Sequence, residues 1–136
     1  MLTIYPALFL KEREGDGYTV LFPDLNGCVT EGDTQEEAFQ MAEDALGLYL
    51  YDLPSYPEAS NLRPPCNSDN EDDLFDLSNS FSSYVYVDML EVKKQMNKTT
   101  VRKNLSIPSW LNELALSNNI NFSQTLQEAL IEKMGL

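Results

Sequence analysis

The seventeen residues from Phe22 to Ala38, FPDLNGCVTEGDTQEEA, leave this chain few folds to choose from. Pro23-Asp24 and Asn26-Gly27 are turn formers, because proline fixes φ and Asn-Gly tolerates a positive φ. They end whatever precedes them. Cys28-Val29-Thr30 is a short β-favouring run, which Gly32-Asp33 breaks. Thr34 then offers a hydroxyl to the free N–H groups of a following helix, and Thr34-x-x-Glu37 makes a capping box. Asp33, Glu36 and Glu37 add negative charge beside the positive end of the helix dipole. The stretch reads as strand, turn, strand, helix start.

The neighbouring residues extend this pattern. Thr3 to Lys11 is apolar on both alternating faces, as expected of a strand covered on two sides, with Pro6 limiting its pairing. Glu12 to Gly17 is a polar hairpin connection, and Tyr18 to Phe22 is the return strand. Beyond Thr34, Ala38, Met41, Ala42, Ala45, Leu48 and Tyr49 recur at helical spacing to about Asp52, a stripe predicted to cover the sheet. Pro54 and Pro57 end that helix. Residues 55–82 are rich in Ser, Asn, Asp and Pro, so an acidic flexible segment is expected there. Ser83 to Asp88 is a fourth strand candidate, completing a βββαβ domain over 1–88. Residues 89–98 read as a short helical connector or linker.

Charge divides the chain at the same place. Residues 1–88 hold eighteen Asp/Glu against three Lys/Arg, a net −15, whereas residues 89–136 hold four against six, a net +2. An acidic body repels nucleic acid, and a mildly basic tail does not. From Thr99 the pattern changes: Val101, Leu105 and Ile107 alternate with Arg102, Asn104 and Ser106, and Pro108 opens a helix. Trp110, Leu111, Leu114 and Ala115 give that helix an apolar stripe, ended by Asn118-Asn119. Phe122, Leu126, Ala129 and Leu130 give a second stripe after an Asn121 or Ser123 cap, until Gly135. A strand and two helices in about forty residues cannot enclose a core, so dimerisation is expected.

An antiparallel pair of such strands forms a ribbon that fits the DNA major groove, with Thr100, Arg102 and Asn104 facing the bases. Lys98 and Lys103 would approach phosphates, and the backbone near Ser123 would add a phosphate contact at a helix N-terminus. Lys103 falls among inward positions, so its stem must snorkel or the register slip. The order of elements, RKNLSIP into WLNELA and then NFSQTLQEAL, resembles a ribbon-helix-helix repressor domain over 99–136.

The body, above all YTVLFPDLNGCVTEGDTQEEA, resembles the N-terminal domain of HicB-type antitoxins. The resemblance implies an α+β protein: a partial ribonuclease H-like fold that holds a HicA-type messenger-RNA-cleaving toxin, joined to a DNA-binding module that represses its own operon. Asp24 and Glu31 on the sheet side, and Asp72 and Asp73 as a flexible arm, are the acidic residues assigned to the toxin. A dimer is the minimum for operator binding, and body contacts would raise it to a tetramer.

Two other readings stand beside this one. Asp24, Asp33, Glu36 and Asp88 could gather around Mg²⁺ in a nuclease, although turns and caps explain each of them, and no histidine is present to act as a base. A transcription factor whose body senses a small ligand is the other. No catalytic residue, metal or cofactor is expected. Cys28 and Cys66 form no CxxC pair and read as free thiols of a cytoplasmic protein. Leu2 to Leu10 lacks a basic leader region and is broken by Pro6, so no membrane partner is expected.

Overall fold

The computed structural model describes residues 2–66 and 74–136. They fall in two compact units, 1–98 and 99–136. The first holds β1 (Leu2–Glu12), β2 (Tyr18–Leu21), β3 (Val29–Gly32), α1 (Gln35–Tyr51), β4 (Phe75–Asp88) and α2 (Met89–Met96). The strands form one antiparallel sheet in the order β3-β2-β1-β4.

β1 organises the sheet because it is buried at every position from Tyr5 to Leu10. Tyr5, Ala7 and Phe9 point to one side and join Val20, Val85 and Val87 against Ala38, Ala42, Leu46 and Leu50 of α1. Phe9 stacks on Phe81 at 4.8 Å between ring centroids and meets Phe39 at 4.4 Å. Pro6 lies where β2 has not yet joined, since that ladder covers only Leu8 to Lys11. Its missing N–H therefore falls on a stretch paired on one side only.

The stretch from Phe22 to Ala38 folds as its chemistry dictates. Leu25 N–H donates to Phe22 O at 3.1 Å, Cys28 N–H to Leu25 O at 3.0 Å and Phe22 N–H to Cys28 O at 3.2 Å, closing a tight turn with Gly27 at φ 81°. Thr34 Oγ1 accepts from Glu37 N–H at 3.1 Å, and Glu37 Oε2 reaches back to Asp33 N–H at 3.3 Å. The helix start then presses on β3 so closely that a Cβ on Gly32 would sit 2.4 Å from Ala38 N. Only glycine fits there.

Two expectations for the body need correction. The stripe of α1 that covers the sheet runs Ala38, Ala42, Leu46, Leu50, whereas Met41 and Leu48 are exposed. Small residues at Ala38 and Ala42 permit the close approach to β3, and this sets the rotation of the whole helix. Of the residues 55–82 expected to be flexible, 75–82 form the first half of β4. Phe81 supplies the apolar anchor, and the long β1 offers partners as far as Lys11↔Asp76 and Glu12↔Phe75. The intervening register shift is held by Asp76, whose carboxylate accepts from Ser78 N–H at 3.1 Å, Ser78 Oγ at 2.6 Å and Asn79 Nδ2 at 2.6 Å. Those bonds, from Ser78 and then Asn79, lower the Asp76 pKa.

The second unit holds α3 (Ser109–Ser117) and α4 (Phe122–Met134). Asn121 caps α4, its Oδ1 accepting from Gln124 N–H at 3.1 Å, and Gly135 closes it in the left-handed region at φ 71°. The strand expected over Thr99 to Ile107 does not form. A strand exists only as one side of a hydrogen-bonded ladder, and a single copy of the chain gives this segment no second side. No residue of α3 or α4 is buried.

Candidate functional site

Three surfaces of this molecule carry more than solvation requires. The first is the sheet face opposite α1. Ile4 lies across from Tyr86 and Pro6 across from Tyr84, and Leu2, Ile4, Tyr84 and Tyr86 are all exposed. At the other edge of this face, Val29 is exposed opposite Leu21, and Glu31 stands opposite Thr19. The chain after α1 is anchored near this face. Leu62 N–H donates to Tyr84 OH at 3.2 Å, and Ser60 donates to Asp24 Oδ2 through both N–H and Oγ at 3.0 Å. The hydroxyl of buried Tyr5 donates to Pro57 O, and burial, followed by the Asp24 charge, pushes its pKa up, so it stays a donor.

The second surface is a groove of about 390 Å³ where α1, the end of β4 and α2 meet. Gly47, Leu48, Val87, Val92 and Met96 form its apolar lining, and Glu43, Asp44, Asp88 and Glu91 its acidic rim. Gly47 lets α2 come close, since a Cβ there would lie 2.9 Å from Val92 Cγ2. Asp88 Oδ1 accepts from Leu90 N–H at 3.0 Å and so starts α2 directly at the strand end.

The third surface is the second unit. Val101, Leu105, Trp110, Leu114 and Phe122 are among its exposed large apolar residues, Val101 at 78% and Trp110 at 64%. Lys98, Thr100, Arg102, Lys103 and Asn104 are exposed in the segment that enters it. Ser123 sits in the first turn of α4 with its Oγ accepting from Gln127 Nε2 at 3.3 Å.

Two of the carboxylates considered for a metal are engaged separately, Asp24 with Ser60 and Asp88 with Leu90. Among the described residues no three His, Cys, Asp or Glu side chains converge as a metal-holding group. Cys28 is buried, its pKa raised by that burial, and Cys66 is exposed. Asp72 and Asp73 lie outside the described residues. Among the described residues no helix is long and apolar enough to cross a membrane.

A family model described as the HicB-like antitoxin of bacterial toxin-antitoxin systems matches residues 5–131, nearly the whole chain and both units. The chain belongs to the HicB-like antitoxin family. A chain of a solved toxin-antitoxin complex from Streptococcus pneumoniae is 34% identical, with 98% of this chain and 99% of that one covered at a TM-score of 0.61. Antitoxin HicB 2 of Photorhabdus laumondii is 50% identical over 42 residues, which are 31% of this chain and 29% of that protein. Antitoxin HicB 1 of the same organism is 52% identical over 42 residues, 26% of its length. The match thus spans less than a third of these curated relatives.

For this HicB-like chain, the groove was the surface that sequence reading missed. The sequence pattern places Leu48 in the sheet-facing stripe and reads 89–98 as a short helical connector or linker. The signal was present in Gly47 next to Leu48 and in Val92 within a polar run, a small residue and an apolar one set for helix-on-helix contact. Asp24, an expected toxin contact, accepts from Ser60 N–H and Oγ within this chain.

Proposed function

We propose that this chain binds and inhibits a HicA-type messenger-RNA-cleaving ribonuclease toxin through its acidic body, and represses its own operon through a dimer of its tail. The observation that carries the reading is the similarity, along the full length of both chains, to a component of a toxin-antitoxin complex. The physics agrees with it. A ribonuclease presents positive charge to RNA, so a body of net −15 associates with it quickly and competes for the same surface. Glu31 stands on the open sheet face beside Val29, where a partner can reach it. Asp24, Asp72 and Asp73 complete the acidic residues assigned to the toxin.

For the tail, the exposed apolar residues of α3 and α4 have no core of their own to join, and a second copy is the partner that would bury them. The same pairing would give Thr99 to Ile107 its missing ladder. Thr100, Arg102 and Asn104 then read bases, while Lys98, Lys103 and the backbone at Ser123 hold phosphates. Co-expression with a tagged basic ribonuclease encoded beside this gene tests the reading: the two copurify and growth is restored. Toxicity unaltered by this chain, with no complex recovered, contradicts it.

A further inference from the structure

We propose that the groove between α1 and α2 is where the toxin docks, by inserting an apolar side chain flanked by Lys or Arg. This rests on the antitoxin reading and locates the contact that reading requires. Exposed apolar lining rimmed by polar groups marks an interaction site, and the volume falls in the range of recognition pockets. Leu48 is 59% exposed and Met96 49% exposed, so the groove holds uncovered apolar surface on both helices. Met96, unbranched and polarisable, can adjust to the shape of an inserted side chain.

Charge selects the occupant. Among the described residues four carboxylates rim the groove, and no Lys or Arg lines it. Glu91 is paired with Lys94 at 3.1 Å and Asp88 caps α2, whereas Glu43 and Asp44 have no ion-pair partner among the described residues. An uncharged or acidic segment would leave those two unmatched next to apolar surface. A basic one satisfies them. The opposite sheet face has exposed apolar residues of its own, but Tyr84 there is already bonded to Leu62, and Asp88, which lies across from Leu2, is engaged in capping α2. A second acidic copy of this body would bring like charge to the groove.

The test uses the full chain and the tagged ribonuclease encoded beside it, with binding measured by calorimetry and stopped-flow mixing. Leu48→Asp weakens the complex about thirtyfold or more, as loss of a central apolar anchor does. Glu43→Lys with Asp44→Lys slows association about tenfold and flattens its salt dependence. Tyr86→Ala, on the opposite sheet face, stays within about twofold, the range of a residue outside the contact. Leu48 is exposed, so the circular dichroism and melting of Leu48→Asp match the parent, and Met96→Glu repeats the test from the other helix. Binding by Leu48→Asp and Met96→Glu within about twofold of the parent overturns the groove while leaving the antitoxin reading intact. No complex with the unaltered chain removes both.

Discussion

The body and the tail solve the same problem in opposite ways. In the body, Phe9, Phe22, Leu25, Leu46 and Leu50 are each at most 1% exposed, and sheet and helix bury them without help. In the tail, α3 and α4 bury no residue, and their largest side chain, Trp110, is 64% exposed. Both are rich in apolar residues. The difference is whether one chain supplies two layers: a four-stranded sheet with a helix across it does, and two short helices with an unpaired segment do not. Fold stability in the body is therefore a property of one molecule, and in the tail, on the proposed pairing, of two.

Phe9→Ala is the strongest way to break the body. It removes a ring stacked on Phe81 and tilted against Phe39 and costs about 3–5 kcal/mol, read as a lower urea midpoint. The tail's circular dichroism contribution should be unaffected. Leu114→Asp acts on the other region: sedimentation should shift from dimer to monomer, and the low-temperature unfolding step should lose its dependence on protein concentration. Arg102→Ala and Asn104→Ala sharpen the comparison within the tail, each costing about 1–3 kcal/mol of operator binding while leaving the dimer intact. Unchanged operator affinity in both would remove these residues as base readers. The smallest effect is on the thiols. At pH 8 iodoacetamide should modify exposed Cys66 and spare Cys28, whose raised pKa keeps it protonated, until denaturant opens the core.

What could be read from sequence divides along the same line. Signals that act locally were legible: the Thr34–Glu37 box, the turn containing Gly27, the hairpin to Tyr18 and the cap of α4 at Asn121 all depend on residues within seven positions of one another. Signals that act across the chain were not. The rotation of α1 is set by Ala38 approaching Gly32 across a layer, which a list of apolar positions does not record. Composition also hid the first half of β4. Asp76, Ser78 and Asn79 look like loop residues until their hydrogen bonds are seen to hold a register shift beside Phe81. The groove depends on Gly47 meeting Val92, a pairing of residues 45 positions apart. In the tail, alternation from Val101 to Ile107 signals a strand that one chain cannot complete.

If the two regions divide the work as proposed, toxin inhibition belongs to the body and requires nothing from the dimerising tail. The direct measurement is RNA cleavage by the toxin titrated with the full-length Leu114→Asp chain, monomeric by sedimentation, beside the parent. Equal inhibition by the two is the predicted result. Loss of inhibition in the Leu114→Asp chain, with its body still folded, would contradict it.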